Sequence, residues 1–156
     1  MISTYDTHVL DLRNDPGFFA LLTGSYLRIT GRRLVQDGQG PDWLNNNAPF
    51  VVLAHNTLPD PRFIYANCTA QTCFEYSWDE FITLPSRLSA EQPDRAERQR
   101  LLDAVTRDGF VDNGRGLRVS KSGRRFWVDN FTVWQLIDEA GKRLGQAAIF
   151  SSWRDA

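Results

Sequence analysis

Three strand-like segments joined by short turns fill the last third of the sequence and constrain the fold more than any other feature. The segments GLRVS, RFWVDNFTVWQLI and RLGQAAIFSSW are rich in β-branched and aromatic residues, and KSGR and DEAGK between them carry the glycines of tight turns. Connections this short join neighbouring antiparallel strands. The sequence therefore predicts an antiparallel meander that ends near Trp153.

The middle segment of this meander is apolar at both of its alternating sets of positions. One set holds Phe126, Val128, Trp134 and Leu136, and the other holds Trp127, Phe131, Val133 and Ile137. Because alternate residues of a strand point to opposite faces, we expect both faces of the sheet to be covered. The helices before the meander would cover one face. An N-terminal helix or a second subunit would cover the other, which favours a homodimer.

Two helices and a hairpin are predicted upstream. Asp15 and Pro16 begin an amphipathic helix that runs to about Thr30, and a longer helix runs from Pro93 to Arg107. In the second helix, Asp94 and Arg98 have the four-residue spacing of a helical ion pair. The apolar runs FVVLAHN and RFIYAN flank the turn TLPDP and predict a β-hairpin, whereas DGQGPDWLNNNAP has the composition of a loop.

Two shorter helical elements follow the hairpin. Asn67 is placed to cap a short helix that starts at Cys68, and Ser77 with Glu80 has the spacing of a capping box. A basic cluster falls near the first turn of the meander and is expected to be a solvated turn. It comprises Arg115, Arg118, Lys121, Arg124 and Arg125.

Length and composition restrict the class of protein. The chain has 156 residues, 42% hydrophobic and 24% charged, which is typical of one soluble globular domain. A net charge of -1 does not favour nucleic acid as a partner, and no apolar run reaches the roughly 20 residues of a membrane span. The N-terminus lacks the pattern of a secretory signal, so we expect a cytoplasmic protein.

The cysteines and histidines do not predict a metal or redox site. On one helix, Cys68 and Cys73 would lie roughly 140° apart around the axis, which disfavours a disulfide or shared metal ligation. The two histidines, His8 and His55, are far apart in sequence. We expect both cysteines to be small, partly buried apolar residues.

The order of elements resembles the PAS fold, in which a sheet and helices enclose a small pocket. A more specific resemblance, from about Phe18 to Trp153, is carried by the segments GSYLRITGRRL, APFVVLAHNTLPDPRFIYAN, LPSRLSAE, ERQRLL, SGRRF and GQAAIF. Together they resemble the MEKHLA domain, a PAS-related family of small bacterial proteins and plant homeodomain–leucine zipper regulators. The resemblance implies one α+β domain over residues 1–156, with an N-terminal helix and a PAS-like core from about 48 to 154. Its sheet would be antiparallel and five-stranded, with helices packed on one face.

The PAS resemblance raises the question of flavin or haem, and the residues favour neither. Light-sensing members of the fold have a cysteine after the capped helical turn, whereas NCTAQTCF precedes that turn here. The position of their flavin-binding asparagine holds Val128, although Gln146 matches a flavin-contacting glutamine. His55 ends the first strand, whereas haem-binding sensors carry their histidine on the long helix.

The resemblance implies a sensory or regulatory domain without catalytic residues. We expect a small-molecule ligand, a protein partner or both, with the signal passed to another protein. A ligand-free dimerisation module and a small enzyme without a recognisable motif are the alternatives. Arg87 either stabilises its loop through hydrogen bonds or binds an anionic group of a ligand. Asn67 either caps a helix or contacts a ligand, and the aromatic residues of the strands either belong to the core or line a pocket. The expected ligand contacts are Asn67, Arg87, Trp127, Phe131, Trp134, Gln146 and Phe150.

Overall fold

The computed structural model describes Tyr5 and residues 11–156, and His8 lies outside the described residues. An antiparallel sheet has the strand order β2-β1-β5-β4-β3. Its strands are β1 (Val51–His55), β2 (Phe63–Ala66), β3 (Phe110–Val119), β4 (Arg125–Ile137), β5 (Arg143–Phe150) and β6 (Trp153–Asp155). The predicted five-stranded arrangement is confirmed, with one addition. Strand β6 follows β5 and pairs with residues Phe126 to Val128 of β4.

The helices are α1 (Pro16–Thr30), α2 (Pro41–Asn46), α3 (Cys68–Phe74), α4 (Trp78–Phe81) and α5 (Arg95–Asp108), with 3-10 turns at Ser86–Ser89 and Gln92–Asp94. The predicted caps form. Asp15 accepts a hydrogen bond from the Phe18 amide at 2.7 Å, and Ser77 and Glu80 make both bonds of the capping box. The predicted loop at 37–49 is wrong in part, because Pro41 occupies the first turn of α2 and fixes its backbone.

Strand β4 changes its facing pattern at a bulge. Phe131 pairs with Gly114 and Asp129 pairs with Arg115, so Asn130 is left over, with a positive φ of 56°. The extra residue puts Phe126 and Val128 on the same face as Phe131 and Val133. Trp134 and Leu136 lie on the other face. The sequence alternation therefore misassigned which aromatic residues share a face.

Both faces of the sheet are covered, as predicted. The face that carries Trp134 packs against α1, where Phe18 and Leu22 are buried and Tyr26 lies 4.7 Å from Trp134 between ring centroids. This outer face therefore has its cover within the chain and does not need a second subunit to cover it. A homodimer stays a prediction. No helix in the described part of the chain is long and apolar enough to cross a membrane.

Candidate functional site

A small cavity lies between α5 and the inner face of the sheet, the face that carries Val133 and Phe131. It has a volume of about 60 Å³. Its walls are mainly apolar, and its polar lining comes from His55, Ser89, Arg98, Arg118 and Gln146. The apolar walls include Leu53, Phe63, Phe74, Leu101, Leu102, Val128, Phe131, Val133 and Phe150.

A larger polar groove adjoins the cavity. It has a volume of about 530 Å³, within the range of small-molecule sites. His55, Arg98, Leu102 and Gln146 line both spaces, so cavity and groove form one site with an apolar end and a polar end. The rim of the groove is formed by the loop 56–61 between β1 and β2, by Ser86 and Arg87, and by one side of α5.

Asn56 organises the loop that forms the groove rim. It is buried, and its Oδ1 accepts from the amides of Arg62 at 3.0 Å and Leu58 at 3.4 Å. The Ser86 amide donates to the Pro61 carbonyl at 2.8 Å, which ties the loop to the 3-10 turn opposite. The polar end of the site is therefore built by backbone segments that are held in place.

His55 stands at the junction of cavity and groove, with 6% of its surface exposed. Its Nδ1 lies 2.9 Å from the Asn56 carbonyl oxygen, which can only accept, so Nδ1 carries the proton. Burial and then the charge of Arg98 lower the pKa of His55 to about 4. The ring is therefore neutral near pH 7, and its Nε2 presents an acceptor lone pair.

Two buried polar atoms of the site have no hydrogen-bond partner. They are His55 Nε2 and Ser86 Oγ, and only four such side-chain atoms occur in the described residues. Gln146 pairs with His55 across the strands, and its side chain lies near enough to the ring to raise the pKa of His55 against the larger effect of burial. Its amide nitrogen donates to Leu102 O at 3.3 Å and Thr106 Oγ1 at 3.1 Å, and no bond within hydrogen-bonding distance and angle reaches His55 Nε2 among the described residues. Because buried polar groups are normally satisfied, these two atoms are available for hydrogen bonds to water or to a bound molecule.

Four of the seven expected ligand contacts lie at this site. Phe131, Gln146 and Phe150 line the cavity, and Arg87 lines the groove. The Arg87 Nε donates to Asp60 at 3.1 Å across the groove rim, so this arginine has a structural partner on the opposite loop, residues 56–61.

The other three expected contacts have structural partners elsewhere. Asn67 is fully buried and hydrogen-bonds four backbone groups. Trp134 lies on the outer face beneath α1, because the bulge at Asn130 precedes it. The ring of Trp127 stacks with the guanidinium of Arg115, 4.4 Å from the ring centroid.

Sequence reasoning missed Arg98 and Arg118 as site residues. On α5, Arg98 lies three, four and seven residues before Leu101, Leu102 and Val105, and this spacing places it on the apolar face of the helix. The expected ion pair with Asp94 does not form among the described residues. Arg118 was assigned to a solvated turn, but it is 8% exposed and turns inward.

The cysteines lie apart from the cavity lining. Cys68 is exposed, contrary to expectation, and its Sγ lies 3.7 Å from Asn46 Oδ1. Cys73 is buried in the inner core, and burial raises the pKa of its thiol to about 12. A thiol held in that state is a poor nucleophile. No group of side chains in the described residues could hold a metal ion.

The cavity does not fit a flavin or a haem. Its volume of about 60 Å³ is far below the size of either ring system. No cysteine lines it among the described residues. We therefore derive no chemistry from either group.

Comparison with known proteins agrees with this architecture. The model of the MEKHLA domain matches residues 17–155. A PAS domain of a protein from Colwellia psychrerythraea has a TM-score of 0.61 at 18% identity, over 73% of this chain and 91% of that one. No curated protein matches the chain in sequence.

Two further structural neighbours are light-oxygen-voltage proteins. An RNA-binding receptor of this class has a TM-score of 0.61 at 20% identity, over 78% of this chain and 35% of that one. A structure described as a flavin analogue shedding light on the domain mechanism has a TM-score of 0.54 at 18% identity, over 69% of this chain and 76% of that one. At these identities the likeness shows the fold alone.

Proposed function

The chain belongs to the MEKHLA domain family, and from that premise we propose that it is a sensory or regulatory domain that binds a small molecule in the cavity and groove and signals to a partner protein. One observation carries this proposal. The site joins an apolar cavity to a polar groove, and two of its buried polar atoms have no hydrogen-bond partner in the part of the chain that the structure describes. The sequence segments that resemble the family, HNTLPDP, LPSRLSAE, ERQRLL and GQAAIF, supply most of the groove lining.

A bound molecule would act on α5. This helix has one fully buried residue, Val105, and is attached to β5 by hydrogen bonds from Gln146 and Arg143 to Leu102 and Thr106. Elements with little buried apolar surface open at low free-energy cost. A ligand that contacts Arg98, Leu102 and Gln146 would shift the position of α5, and a partner on its exposed side would detect that shift.

A non-enzymatic role accords with the same geometry. In the groove, Ser86 is the residue that could act as a nucleophile, and His55 is the residue that could act as its base. Both Ser86 Oγ and His55 Nε2 lack hydrogen-bond partners, so they do not bond to each other. Signalling to a partner protein, or to a second copy of this chain, stays a prediction. The expectation that the chain binds no nucleic acid stays a prediction as well.

Native mass spectrometry and an absorption spectrum of freshly purified protein test the proposal, together with thermal shifts across a metabolite panel. We expect a bound small molecule, or a ligand that raises the melting temperature. Ala148→Leu, which fills the cavity wall, should abolish the effect, and Ala96→Leu on the exposed side of α5 should not. Protein that is ligand-free and unresponsive to the whole panel would contradict the proposal.

A further inference from the structure

Arg98 is a cation at the centre of the site. It is partly buried, it lines both cavity and groove, and no hydrogen bond or ion pair engages its guanidinium among the described residues. Burial, and then the charge of Arg118, lower the pKa of Arg98 to about 10. A guanidinium removed from water without a counterion is costly, so the position favours an anion supplied from outside the chain.

A second arginine adds to the same charge. Arg118 is 8% exposed, and its Nη1 donates to the Leu117 carbonyl at 2.8 Å. Its ion pair with Glu97 is long, at 3.5 Å, and the Glu97 side chain is 42% exposed. Arg98 and Arg118 thus bring two positive charges to one wall of the cavity, with one carboxylate at its outer edge.

Glu97 is the acidic residue whose charge acts on Arg98: it raises the pKa of the guanidinium, but burial and the charge of Arg118 together outweigh it. Among the described residues that line the cavity, the charged ones are Arg98 and Arg118. The groove contains Asp60 and Asp103, which are engaged by Arg87 and Gln99 respectively. The groove also contains Arg143, which donates to the Thr106 carbonyl. The site is therefore positive at its junction and apolar at its inner end.

The uncharged groups define the remainder of a ligand. The apolar walls of Leu53, Val133 and Phe150 suit a short hydrocarbon group. The Nε2 of neutral His55 accepts a hydrogen bond, so it would pair with a hydroxyl or N–H of the ligand. Ser86 Oγ provides a further polar contact in the groove.

We propose that the ligand of this site is a small organic carboxylate with an apolar body and a hydroxyl or N–H group. Its carboxylate is bound by Arg98, and its donor group is bound by Nε2 of His55. A planar guanidinium matches a carboxylate through two parallel hydrogen bonds. This inference rests on the proposed function, because it specifies the ligand of the same site.

The test uses three 2-hydroxy acids, lactate, mandelate and phenyllactate, each beside its deoxy acid and its amide. Calorimetric titration of the unaltered protein should show binding of at least one hydroxy acid, weaker binding of its deoxy acid by about two- to tenfold, and no measurable binding of its amide. This comparison does not depend on any variant folding. Equal binding of an acid and its amide would overturn the inference.

Two variants of α5 make the test specific. Arg98→Met should weaken acid binding by about ten- to a hundredfold without lowering the melting temperature. Arg100→Met, at an exposed position on the same helix, should leave binding unchanged. If no acid binds but native mass spectrometry shows an uncharged ligand, the carboxylate inference fails and the proposed function stands. If no molecule binds at all, both fail.

Discussion

The side chain of Asn67 hydrogen-bonds four backbone groups in three separate segments, and its removal should cost far more than the loss of a helix cap. Its Oδ1 accepts from the amides of Val52 at 3.1 Å and Ala70 at 3.0 Å. Its Nδ2 donates to the carbonyls of Leu44 at 3.1 Å and Phe50 at 2.9 Å. Asn67 is fully buried, so water does not replace these partners.

The expected loss of stability follows from the backbone groups that lose their hydrogen-bond partner. A buried donor left without an acceptor costs about 1–3 kcal/mol, and Asn67→Ala leaves two such donors, the amides of Val52 and Ala70. The two carbonyls lose less, because each keeps a second lone pair. We expect the free energy of unfolding to fall by about 2–6 kcal/mol, a large part of the roughly 5–15 kcal/mol of a typical domain.

Urea unfolding followed by tryptophan fluorescence measures this loss, provided that the slope with urea is unchanged. Ser77→Ala is the matched control, because Ser77 caps α4 at a solvent-accessible position and its loss should cost about 1 kcal/mol. If Asn67→Ala costs no more than Ser77→Ala, then Asn67 acts as a simple cap and the reasoning is refuted.

Three further predictions concern the site and its walls. The pKa of His55 is about 4 in the folded protein, against about 6.5 in the unfolded chain. Between these two pH values the unfolded chain binds a proton that the folded protein does not, so acidification across this range should lower the free energy of unfolding by up to about 3 kcal/mol. His55→Gln should reduce this dependence in urea titrations at several pH values, and an unchanged pH dependence would contradict the assignment. Glu97→Gln should strengthen carboxylate binding severalfold in calorimetry, because it frees Arg118, and weaker binding would count against the charge argument. Gly145→Ala should lower the free energy of unfolding by about 2–4 kcal/mol, because a Cβ there would lie 2.1 Å from the His55 carbonyl oxygen and the backbone has a φ of 154°. The control Gly40→Ala has open space around it and should cost less than about 1 kcal/mol. Similar melting temperatures for these two glycine variants would sink that prediction.

The sequence predicted most of the fold because its signals are local. The caps at Asp15, Asn67 and Ser77 need only the side chain and the next turn of helix, and all three form. The meander follows from apolar strands and glycine turns in the same way. The helix at Pro41–Asn46 was missed because its asparagines and flanking glycines have the composition of a loop.

The site was predicted less well because it depends on contacts between distant segments. The bulge at Asn130 reverses the facing pattern within β4, so Phe131 reaches the cavity and Trp134 does not. Arg118 was grouped with its neighbours in sequence, although the pairing of β3 with β4 turns it inward. Arg98 shared the apolar face of its helix, and a charge on that face was the signal that could have identified it.

The central claim is that a small carboxylate binds between α5 and the inner face of the sheet. Methyl NMR of the protein, titrated with whichever of the three hydroxy acids binds most tightly, tests it most directly, because leucines and valines lie on both faces. We predict chemical-shift changes at Leu53, Leu102 and Val133, which line the cavity, and none at Leu22 or Leu136, which lie in the outer core. An unperturbed spectrum, or changes confined to Leu22 and Leu136, would contradict the claim.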